Sequence, residues 1–556
     1  MKKLKCSDMC IYGLVCLFFA FTLCVFAPLE IYFTNISQFW FQVRDILLAT
    51  AGTFVVIFAG MIAAFTIIAL VSDKAAKVCA YILFVLGILI YLQGNFVVST
   101  TGALDGRPVD WSAISIDRIE SLILWVVGIA VGILVFVKCR NNSKISKVMT
   151  YVSVCIVLVE MVTLTTVTIS NKSQLSTKAL YYPTDAYEMD MSDEENVVIF
   201  VLDSFDSRIM MDILSEDDSC IAKLDGFTYY PDTLGCYNYT ILAFPQIISG
   251  KQYLNQEVYN EFLARELTNC PLYSEMLTDG WNMGMYTEQL LPPCDFSKNL
   301  CNTTKVDKVG ISSKRRFLEY IYRLVAYKYA PYELKQACWF DPSEYDNMKV
   351  VDDSACILFD WENRNFWDAI DSINTSCKAK VFKLYHLRGT HDPLNYDEYG
   401  NLCEKETSDV QMGKANILML TEYIQALKDK GIYDKTAIIV MADHGMVRDD
   451  DSDMKSNPLL MIKGTSESHD MIVSDKQISY ADLDTIYTNL MAGKSSGGIV
   501  SGIEDKERLF YWYRGNITIQ DTHCSPLTEY SVAPGAQASD IENLSATGKV
   551  YQWDGE

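Results

Sequence analysis

Residues 437–445 read Ala-Ile-Ile-Val-Met-Ala-Asp-His-Gly, an apolar run that stops at Asp443 and His444. A second run of the same kind, Val-Val-Ile-Phe-Val-Leu-Asp, occupies residues 197–203. Continuous apolar runs of this length are typical of strands buried on both faces of a parallel sheet. Because open α/β sheets bind ligands at the carboxyl ends of their strands, Asp203, Asp443 and His444 are candidate site residues.

These residue types suit a divalent metal ion. Aspartate and histidine are ligands for Zn²⁺, and aspartate is also a ligand for Mn²⁺ or Mg²⁺. The chain has only five histidines, so one at the end of a strand is informative. The residues alone do not decide between the three metals.

Further elements follow the same alternation. Strand-like runs lie at 379–387 and 458–463, and helical patterns lie at 207–224, 408–430 and 480–491. The alternation predicts an α/β domain with a central, mostly parallel sheet and helices on both faces.

The first third of the chain has a different character. It contains five apolar stretches, each near the roughly 20 residues that cross a bilayer. They lie at about 10–33, 46–71, 77–98, 119–138 and 147–169. The fifth contains Glu160, which we expect to be neutral or to face the helix bundle because a charge in lipid is costly.

The loops between these stretches predict an orientation. Basic residues precede the first span and lie between spans two and three and between spans four and five. By the positive-inside rule the N-terminus is cytoplasmic, and five crossings place everything after about residue 170 outside. We therefore expect a multi-pass protein of the bacterial cytoplasmic membrane with an extracellular or periplasmic domain.

Four segments are predicted from these patterns. We expect a transmembrane domain at 1–170, a polar linker at 171–195, the α/β catalytic domain at 196–516 and a polar, turn-rich tail at 517–556. The tail is expected to be partly disordered. Among the cysteines of the exported part, Cys294 and Cys301 are the closest local pair for a disulfide.

The charge distribution limits the partners. The whole chain has a net charge of −23, whereas its first 170 residues are slightly basic. The exported part is therefore strongly acidic, which argues against a nucleic acid as partner.

Other candidate residues extend the chemistry. Thr240 offers a hydroxyl that becomes a nucleophile when a metal promotes loss of its proton. His391 could bind a phosphate oxygen or protonate a leaving group, and Arg388 could also contact the substrate. His386 is expected to be structural. Arg107, in the loop between spans three and four, could hold a phosphate head group, although that loop could equally serve to dock the catalytic domain.

Together these motifs resemble the alkaline-phosphatase/sulfatase superfamily, and within it the membrane-bound lipoteichoic acid synthases and phosphoethanolamine transferases of bacteria. The pieces that match are Asn-Val-Val-Ile-Phe-Val-Leu-Asp-Ser at 196–204, Thr240 with Pro245 and Ser249-Gly250, His-Leu-Arg-Gly-Thr-His-Asp-Pro at 386–393, and Ala-Asp-His-Gly at 442–445. The resemblance covers the five spans and the domain that follows them.

The resemblance implies roles for individual residues. Asp203, Thr240, Asp443 and His444 would hold one divalent metal, with Thr240 also the catalytic nucleophile and His391 a contact of the transferred group. Three departures matter. The lipoteichoic acid synthases tend to have Glu where this chain has Asp203. Phosphoethanolamine transferases often have a further His after Asp-His-Gly, where this chain has Met-Val-Arg-Asp at 446–449, which disfavours a second metal. No Cys-x-Pro-x-Arg motif is present, which disfavours sulfate-ester hydrolysis.

We therefore expect a sulfatase-like phosphotransferase. It would move a phospholipid head group, phosphoglycerol or phosphoethanolamine, through a Thr-linked intermediate to an envelope glycan or lipid. One alternative is a hydrolase of phosphoric or sulfuric esters from the same superfamily. Another is a catalytically inactive protein that binds an envelope polymer.

Overall fold

The computed structural model describes two compact units of the chain. One unit comprises residues 1–178 and 309–350, and the other comprises residues 179–308 and 351–556. The residues described within them are 6–36, 39–97, 111, 116–139, 143–172, 181–216, 223–289, 291–292, 294–305, 309–340, 344–345, 348–351, 357–447, 454–513, 524 and 526–552.

The α-helices are numbered in chain order. They are α1 Cys6–Phe21, α2 Ala27–Thr34, α3 Val43–Val71, α4 Asp73–Phe96, α5 Ile116–Cys139, α6 Ser143–Ser170, α7 Ser207–Glu216, α8 Thr240–Ser249, α9 Tyr259–Asn269, α10 Pro271–Thr278, α11 Asp295–Asn299, α12 Lys314–Tyr329, α13 Tyr332–Cys338, α14 Asn363–Ala369, α15 Asp409–Asp429, α16 Leu483–Met491 and α17 Ser496–Ile499.

The strands are numbered in the same way. They are β1 Tyr181–Pro183, β2 Asp190–Ser192, β3 Asn196–Leu202, β4 Thr228–Tyr229, β5 Thr233–Leu234, β6 Asn282–Tyr286, β7 Thr303–Lys305, β8 Val309–Ile311, β9 Lys349–Val351, β10 Asn374–Cys377, β11 Val381–Leu387, β12 Thr436–Met441, β13 Leu460–Lys463, β14 Ile472–Val473, β15 Ile478–Ser479, β16 Arg508–Tyr513, β17 Leu527–Val532 and β18 Ser545–Tyr551.

Among the described residues, five helical segments are long and apolar enough to cross a membrane. The prediction of five spans is therefore confirmed. The first span, Asp8–Thr34, is not a uniform α-helix, because a π-helical segment, Thr22–Phe26, separates α1 from α2. The remaining spans are formed by α3 to α6.

The unit with the spans also contains residues 309–350, which the sequence analysis had placed in the catalytic domain. The aromatic face of α12 packs on the spans, and Tyr329 lies so close to Gly94 that a Cβ on that glycine would be 2.2 Å from the ring. Arg118 forms an ion pair with Glu333 of α13, with the Nε atom 2.7 Å from the carboxylate. Sequence position gave no sign of this packing because the contacts join segments that are distant in the chain.

Glu160 faces the interior of the helix bundle, as expected for an acid within a span. Its side chain is fully buried, and Oε1 lies 2.7 Å from the Thr22 hydroxyl, which donates to it. Thr22 begins the π-helical segment, so this contact ties the irregular part of the first span to α6. The two spans are thus joined by a polar contact in an apolar bundle.

The second unit is built on a seven-stranded sheet with the order β14-β4-β13-β12-β3-β11-β6. The four strands β12, β3, β11 and β6 are mutually parallel, and β13 runs antiparallel to β12. The prediction of a central, mostly parallel sheet is confirmed. The antiparallel direction of β13 depends on pairing, which an apolar run does not specify.

Strand β3 shows why these runs are apolar throughout. Val197, Ile199 and Val201 enter one hydrophobic core, which includes residues of α8, α9, α10 and α16. Val198, Phe200 and Leu202 enter a second core on the opposite face, with residues of α7, α14 and α15. Because side chains alternate along a strand, helices on both faces require apolar residues at every position.

Structure is also present in segments predicted to lack it. Strands β1 and β2 lie within the predicted linker, and β17 and β18 lie within the predicted tail. The last two join β16 in a three-stranded antiparallel sheet of order β16-β17-β18. Strand β18 is exposed over nearly its whole length, so its sequence has no apolar alternation to mark it.

We predict that reversing the charge of Glu160 destabilises the protein. Glu160→Lys would place an ammonium group in the bundle interior and should lower stability by about 2.5–3.5 kcal/mol. Glu160→Gln keeps the acceptor for Thr22 and should stay close to wild type. Thermal unfolding in detergent measures both, with Glu120→Lys, at an exposed position of α5, as the matched control. Equal unfolding temperatures for the two lysine variants would contradict the prediction.

Candidate active site

The carboxyl ends of three neighbouring strands bring the candidate residues together. Asp203 directly follows β3, Asp443 follows β12, and His386 lies near the end of β11. Strand β3 lies between the other two, with Val201 paired to both His386 and Met441. The register therefore places these side chains at the same edge of the sheet.

The Asp203 carboxylate is buried and heavily contacted. Oδ1 accepts a hydrogen bond from the Ser204 hydroxyl at 2.8 Å, and Oδ2 accepts one from the Thr240 hydroxyl at 3.1 Å. Burial alone would raise the pKa of Asp203, but nearby His391, His386 and His444 together hold it well below its ordinary value. The carboxylate is thus ionised and available to a cation.

Thr240 begins α8, with Tyr239 extended before it. Its hydroxyl lies 3.1 Å from Asp203 Oδ2 and 3.3 Å from His444 Nε2. The first N–H groups of a helix lack partners within the helix and attract anions. A phosphoryl group on this hydroxyl would therefore meet the positive end of α8.

Asp443 and His444 complete the predicted set. Oδ1 of Asp443 accepts hydrogen bonds from the backbone N–H groups of Ser204 and His444, while Oδ2 is buried without a hydrogen-bond partner. Nδ1 of His444 lies 2.7 Å from the Gly445 carbonyl, which can only accept. Nδ1 therefore donates to that carbonyl, and Nε2, which is 3.4 Å from Asp443 Oδ2, faces the cluster.

His386 also belongs to this cluster, although we had expected it to be structural. Its ring stacks on Phe244 of α8, and Nδ1 lies 3.1 Å from the Thr287 hydroxyl. Nε2 is buried without a hydrogen-bond partner, 3.6 Å from Asp203 Oδ2. The alternation of side chains along β11 could have indicated this position of His386. Phe382, Leu384 and His386 share the face of the strand that packs on the core containing α8.

The cluster fits a divalent cation. One ligand atom from each of Asp203, His386 and Asp443 lies within 4.8 Å of the others. Bonds of about 2.0–2.2 Å from a divalent metal to nitrogen and oxygen atoms put neighbouring ligand atoms roughly 3–4 Å apart. The contacts of 3.1 to 3.6 Å among Asp203, Thr240, His444, Asp443 and His386 match this spacing. Two orphaned buried atoms, His386 Nε2 and Asp443 Oδ2, would gain a partner.

An ion pair supports the segment that carries His444. Asp206 accepts a hydrogen bond from the Met446 backbone N–H at 3.1 Å and forms an ion pair with Arg208 at 2.8 Å. Arg208 in turn donates to the Met446 carbonyl. The turn that follows Asp443 and His444 is thus anchored to the turn that follows Asp203.

The loop after β11 places His391 next to this cluster. Gly389 has a φ of +58°, and a Cβ there would lie 2.4 Å from the Asp203 carbonyl oxygen. The Thr390 N–H donates to the same carbonyl at 2.9 Å. His391 Nδ1 lies 2.7 Å from the Asp392 carbonyl, and its ring centroid is 5.4 Å from that of Trp361.

Arg388 lies in the same loop, but its guanidinium is already bound. It pairs with both oxygens of Glu362 at 3.1 and 3.0 Å and donates to the Pro393 carbonyl and the Asn395 side chain. Only about 5% of the residue is exposed. Instead of meeting a substrate as anticipated, Arg388 fastens the loop that carries His391.

Two other candidates give different outcomes. Arg107 lies outside the described residues, so its contact with a head group stays a prediction. Cys294 and Cys301 are both free thiols, as are the other described cysteines outside the spans. The proposed local disulfide is therefore not formed in this structure.

Comparison with known proteins gives weak likenesses of the fold. Neither a protein-family model nor a curated protein matches the sequence. A solved 2-O GAG sulfatase is 11% identical with a TM-score of 0.36, covering 62% of this chain and 81% of its own. The C-terminal periplasmic domain of EcEptC from Escherichia coli is 13% identical with a TM-score of 0.32, covering 58% and 92%.

A third solved structure, a protein in the alkaline phosphatase superfamily from Vibrio parahaemolyticus, is 10% identical with a TM-score of 0.35, covering 66% of this chain and 80% of its own. These likenesses concern the fold alone.

We predict that Asp443→Asn weakens metal binding. Losing one carboxylate charge from the cluster should lower the affinity for Mn²⁺ or Zn²⁺ by about tenfold or more. The full chain, stripped with a chelator and titrated calorimetrically with Mn²⁺, Zn²⁺ and Mg²⁺, gives the affinities. Asp434→Asn, an exposed position before β12, is the matched control. Equal metal affinity of wild type and Asp443→Asn would contradict the assignment.

We also predict that Gly389→Ala disturbs the loop of His391. A methyl group would clash with the Asp203 backbone, and the positive φ disfavours any Cβ, so stability should fall by about 1–3 kcal/mol. Thermal unfolding measures this loss. Gly431→Ala is the control, since that glycine has a similar φ of +69° and open space around it. A smaller loss at Gly389 than at Gly431 would show that the contact with Asp203 is unimportant.

Proposed function

We propose that this protein is a membrane-anchored, metal-dependent transferase that moves a phospholipid head group to an extracellular glycan or lipid through Thr240. The observation that supports this most directly is the Thr240 hydroxyl, held between Asp203 and His444 at the start of α8. Five spans in the same chain favour a lipid as the donor.

Asp203, Asp443, His444 and Thr240 would hold the metal, together with His386. A bound divalent cation would promote loss of the Thr240 proton and offset negative charge on the phosphoryl oxygens. The buried imidazole and carboxylate side chains would fix the position of the cation and its charge, because their contacts leave them little freedom to move.

The transfer has two steps. In the first, the Thr240 hydroxyl gives its proton to water and Thr240 Oγ forms a bond to phosphorus, while the bond from phosphorus to the diacylglycerol oxygen breaks and protonated His391 gives its proton to that oxygen. In the second, neutral His391 takes the proton of the acceptor hydroxyl, whose oxygen forms a bond to phosphorus as the bond to Thr240 breaks, and the Thr240 oxygen regains a proton from water. The head group with its phosphate ends on the acceptor.

The residues on either side of Thr240 have distinct parts in this scheme. The N-terminal N–H groups of α8 face a phosphoryl group attached to the first residue of the helix. Arg388 does not touch the substrate and acts by positioning His391 through Glu362 and the Pro393 carbonyl.

Hydrolysis is the second candidate, with water in place of the acceptor hydroxyl. The same residues would serve both reactions. The five spans favour transfer between membrane-bound partners, since a hydrolase of soluble esters has no need of them. The orientation of the domain to the outer side of the membrane is part of this proposal.

We predict that Thr240→Ala abolishes transfer. Loss of the nucleophile should lower the release of diacylglycerol from head-group-labelled phosphatidylglycerol or phosphatidylethanolamine by about 10³-fold or more. Thr233→Val is the matched control, because the Thr233 hydroxyl is buried and bonded to the Tyr230 carbonyl away from the cluster. Unchanged release by Thr240→Ala would refute the nucleophile.

Product analysis separates the two candidate functions. Label that appears on an added glycan or lipid supports transfer, whereas label found only as free head-group phosphate at an undiminished rate supports hydrolysis. Wild-type protein that releases nothing from either lipid, with metal supplied, would favour a binding role.

A further inference from the structure

Lys455 lies beside the cluster and has no part in the roles described so far. Its backbone carbonyl accepts a hydrogen bond from the Gly445 N–H at 2.8 Å, which ties it to the segment that carries Asp443 and His444. Its φ is +49°, a conformation that residues other than glycine rarely adopt. The chain thus holds this lysine at a defined place at some conformational cost.

The side chain lies on the ring of the residue that precedes the nucleophile. Lys455 Nζ lies 4.4 Å from the centroid of the Tyr239 ring, and Tyr239 directly precedes Thr240. The same ring is 6.3 Å from the ring of His444. The ammonium group is therefore held on an aromatic face that adjoins both the nucleophile and a proposed metal ligand.

Exposure distinguishes Lys455 from the groups of the cluster. Asp203, His386, Asp443 and His444 are all buried, whereas Lys455, Tyr239, Thr240 and His391 are half-buried. The half-buried residues are thus the ones next to the cluster that solvent can reach. Lys455 comes from the segment before β13 and His391 from the loop after β11, so two separate loops supply groups that can be cationic.

We propose that Lys455 binds the non-bridging phosphoryl oxygens of the donor lipid beside Thr240. This inference rests on the proposed function. A phosphodiester has one negative charge shared by two such oxygens, and an ammonium with three donors can bind it without a fixed orientation. The side chain of lysine is flexible, so its ammonium can reach a phosphate that binds beside the Tyr239 ring.

The same placement has a consequence for the head group. An ammonium beside the phosphoryl group repels a second ammonium close by, as in ethanolamine, but not a neutral glycerol. Lys455 would thus favour a donor with a net negative charge over a zwitterionic one, and removing its charge should reduce the preference.

The experiment compares Lys455→Met and Lys455→Arg in the full chain, in detergent, with short-chain fluorescent phosphatidylglycerol and phosphatidylethanolamine. For Lys455→Met we expect kcat/KM with phosphatidylglycerol to fall about tenfold to hundredfold, as expected when a charge-assisted hydrogen bond is lost. Lys455→Arg should recover most of it. The ratio of kcat/KM between the two lipids should move toward one in Lys455→Met.

Lys380→Met is the matched control. Lys380 precedes β11 at the opposite end of the sheet, about 20 Å from the carboxyl edge given seven residues of strand. It should leave kcat/KM unchanged. An unchanged kcat/KM in Lys455→Met, or an equal loss in Lys380→Met, overturns the role of Lys455.

Binding of inorganic phosphate, measured calorimetrically with metal present, keeps the test separate from the proposed function. Lys455→Met should bind phosphate about tenfold more weakly than wild type while unfolding at the same temperature. If wild type transfers no head group but this loss is seen, the proposed transferase function fails and Lys455 remains a phosphoryl-binding residue. Equal phosphate affinity of wild type and Lys455→Met overturns the inference whatever the activity.

Discussion

The ionised carboxylate of Asp203, buried at the end of the central strand, is the constraint on which the rest of the site depends. An unpaired buried charge is costly, so its environment must compensate for the loss of water. The hydroxyls of Ser204 and Thr240 donate to it, and three histidines lie near enough to lower its pKa. Apart from Ser204, these groups come from three other segments of the chain, and fixing Asp203 therefore fixes their arrangement.

The sequence predicted the parts of this arrangement that are local. An apolar run followed by Asp, as at β3 and β12, indicates a buried strand with a polar residue at its carboxyl end. The amphipathic pattern at 408–430 predicted α15, whose start at Asp409 lies within one residue of the predicted one. Patterns of this kind depend only on neighbours in the chain, and a single sequence displays them directly.

The parts that depend on pairing were less accessible. His386 was expected to be structural because its neighbours are apolar, yet alternation places it on the same face of the sheet as α8 and Asp203. Arg388 was expected at the substrate because arginine suits phosphate, but Glu362, distant in sequence, binds it. Residues 309–350 were assigned to the wrong neighbours for the same reason, since α12 packs on spans that precede it by over 200 residues. In each case a partner remote in the chain decides the role.

The charge of the exported part sets a final condition on the site. The chain has a net charge of −23 and its first 170 residues are slightly basic, so the acidic excess lies entirely in the remainder, whose general field repels anions. For the proposed transfer, attraction of a phosphate must therefore come from groups close to Thr240, where low solvent exposure strengthens each interaction. The positive end of α8, His391 and Lys455 are such groups, and a divalent cation among Asp203, Asp443 and the histidines would add the largest local charge. A domain whose surface repels anions, but whose small site binds them, would bind a phosphate only at the place where the phosphate can react.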